Sequence, residues 1–192
     1  MSIKRKMISI LSVWAVAVTM LATTVHAAWI TLGVDIIRQE KSQWCWAASL
    51  EMCATYLGYE EYDQWDIVKE VKGTASTPYP NLPGYPSDYR DGMEYATGND
   101  YTASRTDTVF TINELDSFMD DMMPVIFAIG TYNSSGTRIS GHAVVCYAVD
   151  VNANKVKYRD PGYDNPVEKY YPTFINSNNT TYCDGSAEII QN

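Results

Sequence analysis

The sequence predicts an α+β fold, in which a helical half is followed by a half made of antiparallel strands. Two observations lead to this class. Residues before about 122 contain segments rich in helix formers that end at glycines, and later residues contain short β-branched and aromatic runs between turn residues. With 192 residues, 46% of them hydrophobic, the chain can form one domain or two small lobes that share a cleft.

The first residues have the features of a secretory signal peptide. A basic stretch at residues 4–6 precedes an apolar stretch at residues 7–23 and a Val-His-Ala sequence that ends at Ala27. We expect residues 1–27 to be removed by cleavage after Ala27, with cleavage after Ala28 as the second choice. The remaining chain is expected to be secreted or periplasmic, without stable membrane association. The alternative is an uncleaved anchor, which is less favoured because the apolar stretch is short for a spanning helix.

The charge of the chain argues against nucleic acid and anionic membranes as partners. The formal net charge is −9, and cleavage after Ala27 removes three of the 14 basic side chains and no acidic one, which gives −12. Both kinds of partner require a basic face. Cleavage also removes His26 and leaves His142 as the one histidine of residues 28–192.

Three segments of the first half are predicted helices, because helix formers dominate them and capping residues bound them. They are residues 42–58, 63–72 and 111–121 (or 113–121). The first segment has Ser42 as a cap and Gly58 as its C-terminal glycine, and its interior is apolar nearly all round, which predicts burial in the core. In the third segment, Glu114 can form a capping box with Thr111.

Residues 78–101 differ in composition from the predicted helices on either side. Four of the eight prolines lie between residues 78 and 86, together with several Gly and Tyr residues nearby. This composition predicts a long connection or an inserted loop that contains a short helix near residues 91–97. Such a segment either borders a substrate cleft or lies on the surface, and we expect the surface.

The second half contains the predicted strands, which share β-branched and aromatic residues bounded by turn signals. They are residues 125–129, 142–149, 155–160, 168–171 and 187–190, and residues 28–35 predict a short strand or an extended segment. A polar hairpin loop at residues 132–140 joins the first two strands, and an Asn-Ala-Asn turn follows the second. In the hairpin formed by the second and third strands, Asp160 is expected near His142.

Four residues have the chemistry of a cysteine nucleophile site. Cys45 begins the buried helix, where the peptide dipoles favour a thiolate, and His142 is the imidazole available to it. Asp160 can orient the imidazole, and Gln39, six residues before Cys45, can donate to an oxyanion. Each residue alone also has an ordinary structural interpretation, as a core cysteine, a strand histidine or a turn aspartate, but their combination favours catalysis.

The cysteine count leaves the disulfide pairing open. The chain has four cysteines, Cys45, Cys53, Cys146 and Cys183. In an oxidising compartment an even count suggests two disulfides, whereas a working thiol at Cys45 leaves three cysteines for one bridge and one free thiol. Because the sequence has no C-x-x-C pair and one histidine after cleavage, we predict no metal site and no cofactor.

Four segments resemble papain-like cysteine peptidases, in particular the compact secreted and effector enzymes of bacteria. Residues 39–49 (QEKSQWCWAAS) resemble the nucleophile segment, and residues 141–145 (GHAVV) resemble the histidine strand. Residues 158–162 (YRDPG) are similar to the segment that carries the third catalytic residue, and residues 123–126 (MPVI) to the strand before the histidine hairpin. Together these segments span roughly residues 36–162.

The resemblance implies a single papain-like catalytic domain at residues 28–192, with a helical lobe at about 36–122 and a β lobe at about 123–192. It implies hydrolysis of a protein or peptide substrate through a covalent acyl-enzyme, with Cys45, His142 and Asp160 as catalytic residues and Gln39 in the oxyanion hole. The alternatives are a peptidoglycan amidase or endopeptidase, a transamidase, and an inactive binding module on the same fold. Only about a dozen residues separate Ala27 from Gln39, so we expect no N-terminal prosegment.

Overall fold

The computed structural model describes residues 29–73 and 79–192. The predicted signal peptide at residues 1–27 lies outside the described residues, so its assignment stays a prediction. The described chain is a mixed α+β structure with one large antiparallel sheet, which confirms the predicted fold class. Within these two ranges, no helix combines the length and the apolar character that crossing a membrane requires.

The described residues form five helices and seven strands. The helices are α1 (Cys45–Tyr56), α2 (Gln64–Lys72), α3 (Pro86–Ala96), α4 (Ile112–Asp120) and the short α5 (Tyr171–Phe174). The strands are β1 (Ile30–Thr31), β2 (Tyr101–Thr106), β3 (Val125–Tyr132), β4 (Arg138–Asp150), β5 (Lys155–Arg159), β6 (Val167–Tyr170) and β7 (Thr181–Gln191).

The sheet has the strand order β2-β7-β3-β4-β5-β6, and every neighbouring pair is antiparallel. Strand β3 pairs with β4 as far as Cys146, and β1 pairs with β4 just beyond it, at Ala148 and Val149. Since β5 occupies the other edge of this part of β4, β1 continues the line of β3. The long strand β4 therefore ties the N-terminal segment to the centre of the sheet.

Helix α1 is buried on all sides, as its apolar sequence predicts. It packs against β4 and against α3, and its residues from Trp46 to Leu50 are all buried. At its end, Gly58 has a φ of +94°, and the amides of Gly58 and Tyr59 donate to carbonyls of the last turn, which is a Schellman motif. The predicted C-terminal glycine is therefore in place.

The start of α1 differs from the prediction. The helix begins at Cys45 rather than Ser42, and no side chain caps it. The Ser42 hydroxyl instead accepts a hydrogen bond from the Asn81 amide at 2.8 Å, so it is engaged with a distant loop. This shift places Cys45 in the first position of the helix, where backbone N–H groups have no partner within the helix.

Two other helices match their predicted ends. In α2, the Asp63 side chain accepts from the amides of the first turn, and Gly73 closes the helix in the left-handed conformation with φ 63°. In α4, Thr111 and Glu114 form the predicted capping box. These helices end where local side-chain chemistry satisfies their free backbone groups.

The middle of the chain is more regular than predicted. Helix α3, at Pro86–Ala96, is longer than the short helix expected near residues 91–97 and occupies almost half of the expected connection. Strand β2 lies in the half that the sequence assigns to helices. Strand β2 is recognisable only through its pairing with β7, because its sequence YTASRT is largely polar and half-exposed. The predicted loop at residues 132–140 also shortens to 133–137, since polar residues extend both strands of the hairpin.

Candidate active site

Cys45 and His142 line one cavity of about 730 Å³. Cys45 contributes from the N-terminal end of α1, and His142 contributes from β4, where it lies opposite Ile129 of β3. Cys45 is partly exposed, whereas residues 46–50 behind it are buried. The packing of α1 against β4 therefore brings a thiol and an imidazole from distant parts of the sequence to the same opening.

Asp160 contacts the imidazole of His142. The distance from His142 Nε2 to Asp160 Oδ1 is 2.6 Å, and the same carboxylate oxygen accepts the amide of Gly162 at 2.8 Å. Asp160 is 6% exposed, and the turn after β5 fixes its position. Because Nε2 is bonded to Asp160, Nδ1 is the ring nitrogen left to exchange a proton with Cys45. The structure thus brings together the three residues that the sequence proposes as catalytic.

The electrostatics of this group favour an imidazolium. Burial lowers the pKa of His142, but the hydrogen bonds and charges of Asp160 and Cys45 outweigh it and raise this pKa from 6.5 to about 9. Burial raises the pKa of Asp160, but hydrogen bonds from His142 and Gly162 hold it below its usual range. A positive imidazole next to a sulfur is the arrangement that activates a thiol.

Gln39 lies beside His142 in a neighbouring groove. Its backbone amide donates to the Pro161 carbonyl at 3.0 Å, which joins the segment before Cys45 to the turn that holds Asp160. Its side-chain Nε2 donates to the Lys41 carbonyl at 2.9 Å. A side-chain NH₂ has two hydrogens, so one donor is left for a ligand. The oxyanion role of Gln39 stays a prediction.

Gln64 is a buried residue that the sequence analysis did not single out. Its side-chain oxygen accepts the Glu40 amide at 2.8 Å, and its Nε2 donates to the Arg38 carbonyl at 2.9 Å. One side chain therefore holds the backbone on both sides of Gln39. Gln64 also bonds to Glu51 of α1, which links this segment to the nucleophile helix. Only the long-range packing of α2 reveals this role.

The Pro- and Tyr-rich loop borders the cavity, which corrects the expected surface position. The indoles of Trp44 and Trp46 are buried beside Cys45 and need acceptors for their N–H groups. The loop carbonyls of Pro80 and Leu82 supply them, at 3.1 and 3.2 Å. Further bonds join Lys41 to Tyr79, Gln43 to Asn81 and Asn81 to Ser42. The cavity wall includes Pro83, Gly84 and Tyr85.

All four cysteines are free in the structure. Cys53, Cys146 and Cys183 are fully buried, and Cys45 is the one partly exposed thiol among them. In the part of the chain that the structure describes, no group of three or more His, Cys, Asp or Glu side chains is placed to hold a metal ion.

The chain is similar to known cysteine peptidases in sequence profile and in fold. The profile described as the Peptidase_C39 like family matches residues 31–184. No curated protein matches the chain. A double glycine motif protease from an AMS/PCAT transporter, solved with the leader peptide, is 13% identical with a TM-score of 0.51, over 84% of this chain and 94% of that one. Xylellain, a cysteine protease from Xylella fastidiosa, is 14% identical with a TM-score of 0.52, over 84% and 85%.

Replacement of Gly84 by Ala should disturb the wall of the cavity. A Cβ on Gly84 would lie 2.7 Å from the Cβ of Trp46, next to Cys45. Overpacking of this kind costs about 1–3 kcal/mol, so we expect a lower urea midpoint and altered tryptophan fluorescence. The matched control is Gly33→Ala, since a Cβ on Gly33 meets nothing within 4 Å. Equal midpoints for the two variants would contradict the close approach of the loop to Trp46.

The pKa of His142 should depend on Cys45. We expect NMR titration to give about 9 in the intact protein and a lower value in Cys45→Ala, because the thiol contributes to the upward shift of the His142 pKa. A His26→Gln variant identifies the signal, since the chain has two histidines. An equal pKa in both proteins would mean that Cys45 and the imidazole do not interact.

The raised pKa of His142 also makes the stability of the fold depend on pH. Because the pKa of His142 lies above its unfolded value of 6.5, the folded protein binds the proton more tightly than the unfolded chain. The resulting stabilisation is complete below about pH 6.5 and is lost as the pH rises through about 9.

Glu51, which accepts hydrogen bonds from Gln64, should add a second pH dependence because it is partly buried. Burial and the charge of Asp63 raise the pKa of Glu51 from 4.5 to about 7. The folded carboxyl therefore holds its proton more tightly than the unfolded one, and stability falls as the pH rises through about 7. We expect Glu51→Gln to gain stability relative to the unaltered protein between pH 5 and pH 8, as measured by urea unfolding. A difference that does not change with pH would contradict this.

Proposed function

We propose that this chain, which belongs to the Peptidase_C39 like family, cleaves peptide bonds with Cys45 as nucleophile, His142 as proton carrier and Asp160 as the group that orients the imidazole. It is a cysteine peptidase with a papain-like α+β fold. The observation that carries the proposal is the shared opening of Cys45 and His142, with Asp160 bonded to the far nitrogen of the ring.

In the proposed reaction, the Cys45 thiolate attacks the carbonyl carbon of the substrate while His142 is an imidazolium. The N-terminal position of Cys45 in α1 supports the thiolate, because the helix dipole favours negative charge there. The developing oxyanion accepts hydrogen bonds from the Cys45 backbone N–H and from the Gln39 side chain. His142 Nδ1 then donates its proton to the leaving amine, and the C–N bond breaks to give a thioester.

Deacylation returns the enzyme to its starting state. Neutral His142 takes a proton from water, the hydroxide adds to the thioester carbonyl, and the C–S bond breaks to release the acid. The thiolate and the imidazolium are restored together. Throughout, Asp160 holds Nε2–H and keeps Nδ1 directed at the reacting atoms, which its 2.6 Å contact supports.

A peptide is the substrate class that we favour. The double glycine motif protease of similar fold was solved in complex with the leader peptide, which supports a peptide as ligand here also. Because the sequence predicts a signal peptide, we propose that the activity lies outside the cytoplasm. A peptidoglycan amidase or a transamidase would use the same thiol and imidazole, so the proposal is tested by comparing purified wall fragments with protein substrates.

Replacement of Cys45 by Ala should reduce hydrolysis of casein or a peptide mixture to background, because no other described thiol is exposed at the cavity. Asp160→Asn should lower the rate of hydrolysis on the order of 10²-fold relative to the unaltered protein and leave a measurable residual rate, since it disturbs only the orientation of the imidazole. The control is Asp164→Asn, an exposed carboxylate four residues away that pairs with Arg38. Full activity of Cys45→Ala would overturn the mechanism.

A further inference from the structure

Two arginines line the cavity that holds Cys45 and His142. Arg105 comes from β2 and Arg138 from the start of β4, and both contribute to the same wall. Among the described residues that line this cavity, none is acidic. This local excess of positive charge stands out in a chain whose formal net charge is −9.

Arg138 is already paired. Its Nε and Nη2 donate to the two carboxylate oxygens of Asp184, at 2.6 and 3.3 Å, and the Tyr132 hydroxyl donates to the same carboxylate at 2.6 Å. Its Nη1 faces the backbone of the histidine strand, where a Cβ on Gly141 would lie 2.7 Å away. Arg138 and Asp184 therefore largely neutralise each other beside the cavity.

Arg105 is not satisfied in the same way. Its side chain is 12% exposed, and its buried Nε has no hydrogen-bond partner among the described residues. The carboxylate paired with it belongs to Asp107, at 3.9 Å, and that side chain is 93% exposed to solvent. A buried guanidinium without close partners is costly, so this group should readily donate hydrogen bonds to an added carboxylate.

Tyr89 connects Arg105 to the nucleophile. Tyr89 is 5% exposed and also lines the cavity, and the Arg105 guanidinium lies 5.7 Å from its ring centroid. Burial raises the pKa of Tyr89 and the charge of Cys45 raises it further, whereas the charges of Arg105 and Arg138 oppose the rise. One phenol is thus within electrostatic reach of Cys45 and of both arginines, and Cys45, Tyr89 and Arg105 line the same cavity.

We propose that Arg105 binds a carboxylate of the substrate and gives this peptidase a preference for an acidic group close to the bond that it cleaves. The proposal rests on the function proposed above. The cavity of about 730 Å³ has room for a large side chain, and the arginine fork pairs with a carboxylate through two parallel hydrogen bonds. The carboxylate belongs either to an Asp or Glu side chain or to the C-terminus of a peptide.

The first test compares matched peptides. Cleavage of a peptide mixture, read by mass spectrometry, should show Asp and Glu enriched at one position near the scissile bond. For a Glu/Gln pair at that position, we expect kcat/KM to be roughly tenfold higher for Glu, as a hydrogen bond to a charged group implies. Arg105→Gln should bring this ratio close to one, and Arg105→Lys should retain part of it.

The control variant is Arg90→Gln, which removes an exposed arginine of α3 that pairs with Asp91. It should keep the full Glu/Gln ratio. Peptides with a free or an amidated C-terminus distinguish the two sources of the carboxylate, because only a C-terminal recognition site responds to amidation. A Glu/Gln ratio near one together with no effect of C-terminal amidation in the unaltered protein would overturn the proposal, as would a preference for the carboxylate that is unchanged in Arg105→Gln.

A second test does not require peptidase activity. N-iodoacetyl-glutamate and N-iodoacetyl-glutamine alkylate a thiol by the same displacement of iodide, so their rates differ only through recognition of the side chain. Native Cys53, Cys146 and Cys183 are fully buried, so the reaction reports on Cys45. We expect the Glu reagent to react roughly tenfold faster, with the advantage lost in Arg105→Gln and reduced by salt.

The two tests separate the two proposals. Cleavage of peptides with neither an acidic side-chain preference nor an effect of C-terminal amidation would leave the peptidase mechanism intact and refute the role of Arg105. Preferential alkylation by the Glu reagent without cleavage of any peptide would support Arg105 and refute the proposed reaction. Equal alkylation rates for the two reagents in the unaltered protein would exclude a side-chain carboxylate as the ligand. If replacement of their shared α-carboxylate by an amide also left both rates unchanged, the carboxylate site would be refuted whatever the outcome with peptides.

Discussion

The burial of α1 between β4 and α3 is the constraint on which the site depends. This helix lacks a polar face, so it cannot rotate or move outward without exposing apolar side chains such as Leu50. Its packing partner β4 also carries His142. A single interface between helix and sheet therefore positions both the thiol and the imidazole. The distance between these two groups is set by the packing of the hydrophobic core and not by the loops.

Hydrogen bonds of buried polar groups position the segments that the packing of α1 against the sheet does not fix. Gln64 holds the backbone around Gln39, and the carbonyls of the Pro-rich loop satisfy the indoles of Trp44 and Trp46. Such bonds are directional, and leaving one of their buried partners unsatisfied is expensive. They therefore set the shape of the cavity more closely than apolar contacts alone. Arg105 departs from this pattern, since its partner is expected to arrive with the substrate.

The parts of the fold that sequence predicts well are those governed by neighbouring residues. Gly58 ends α1, and Thr111 with Glu114 begins α4, because their side chains or backbone freedom satisfy adjacent groups. The hairpin that follows β4 likewise brings Asp160 to His142. Other features depend on contacts between distant segments. They are strand β2, the cleft position of the loop at residues 79–85, and the roles of Gln64 and Arg105. No local pattern encodes such contacts, and the polar sequence of β2 conceals them.

The exchange of strands between the two halves has a mechanical consequence. Strand β2 leaves the helical half and pairs with β7 over six residues, while β1, just before the Gln39 segment, pairs with β4. A hinge that opens the cleft would have to break these backbone ladders on both sides. We therefore expect the walls of the cleft to move as one body, with ligands admitted by side-chain rotation and not by domain opening.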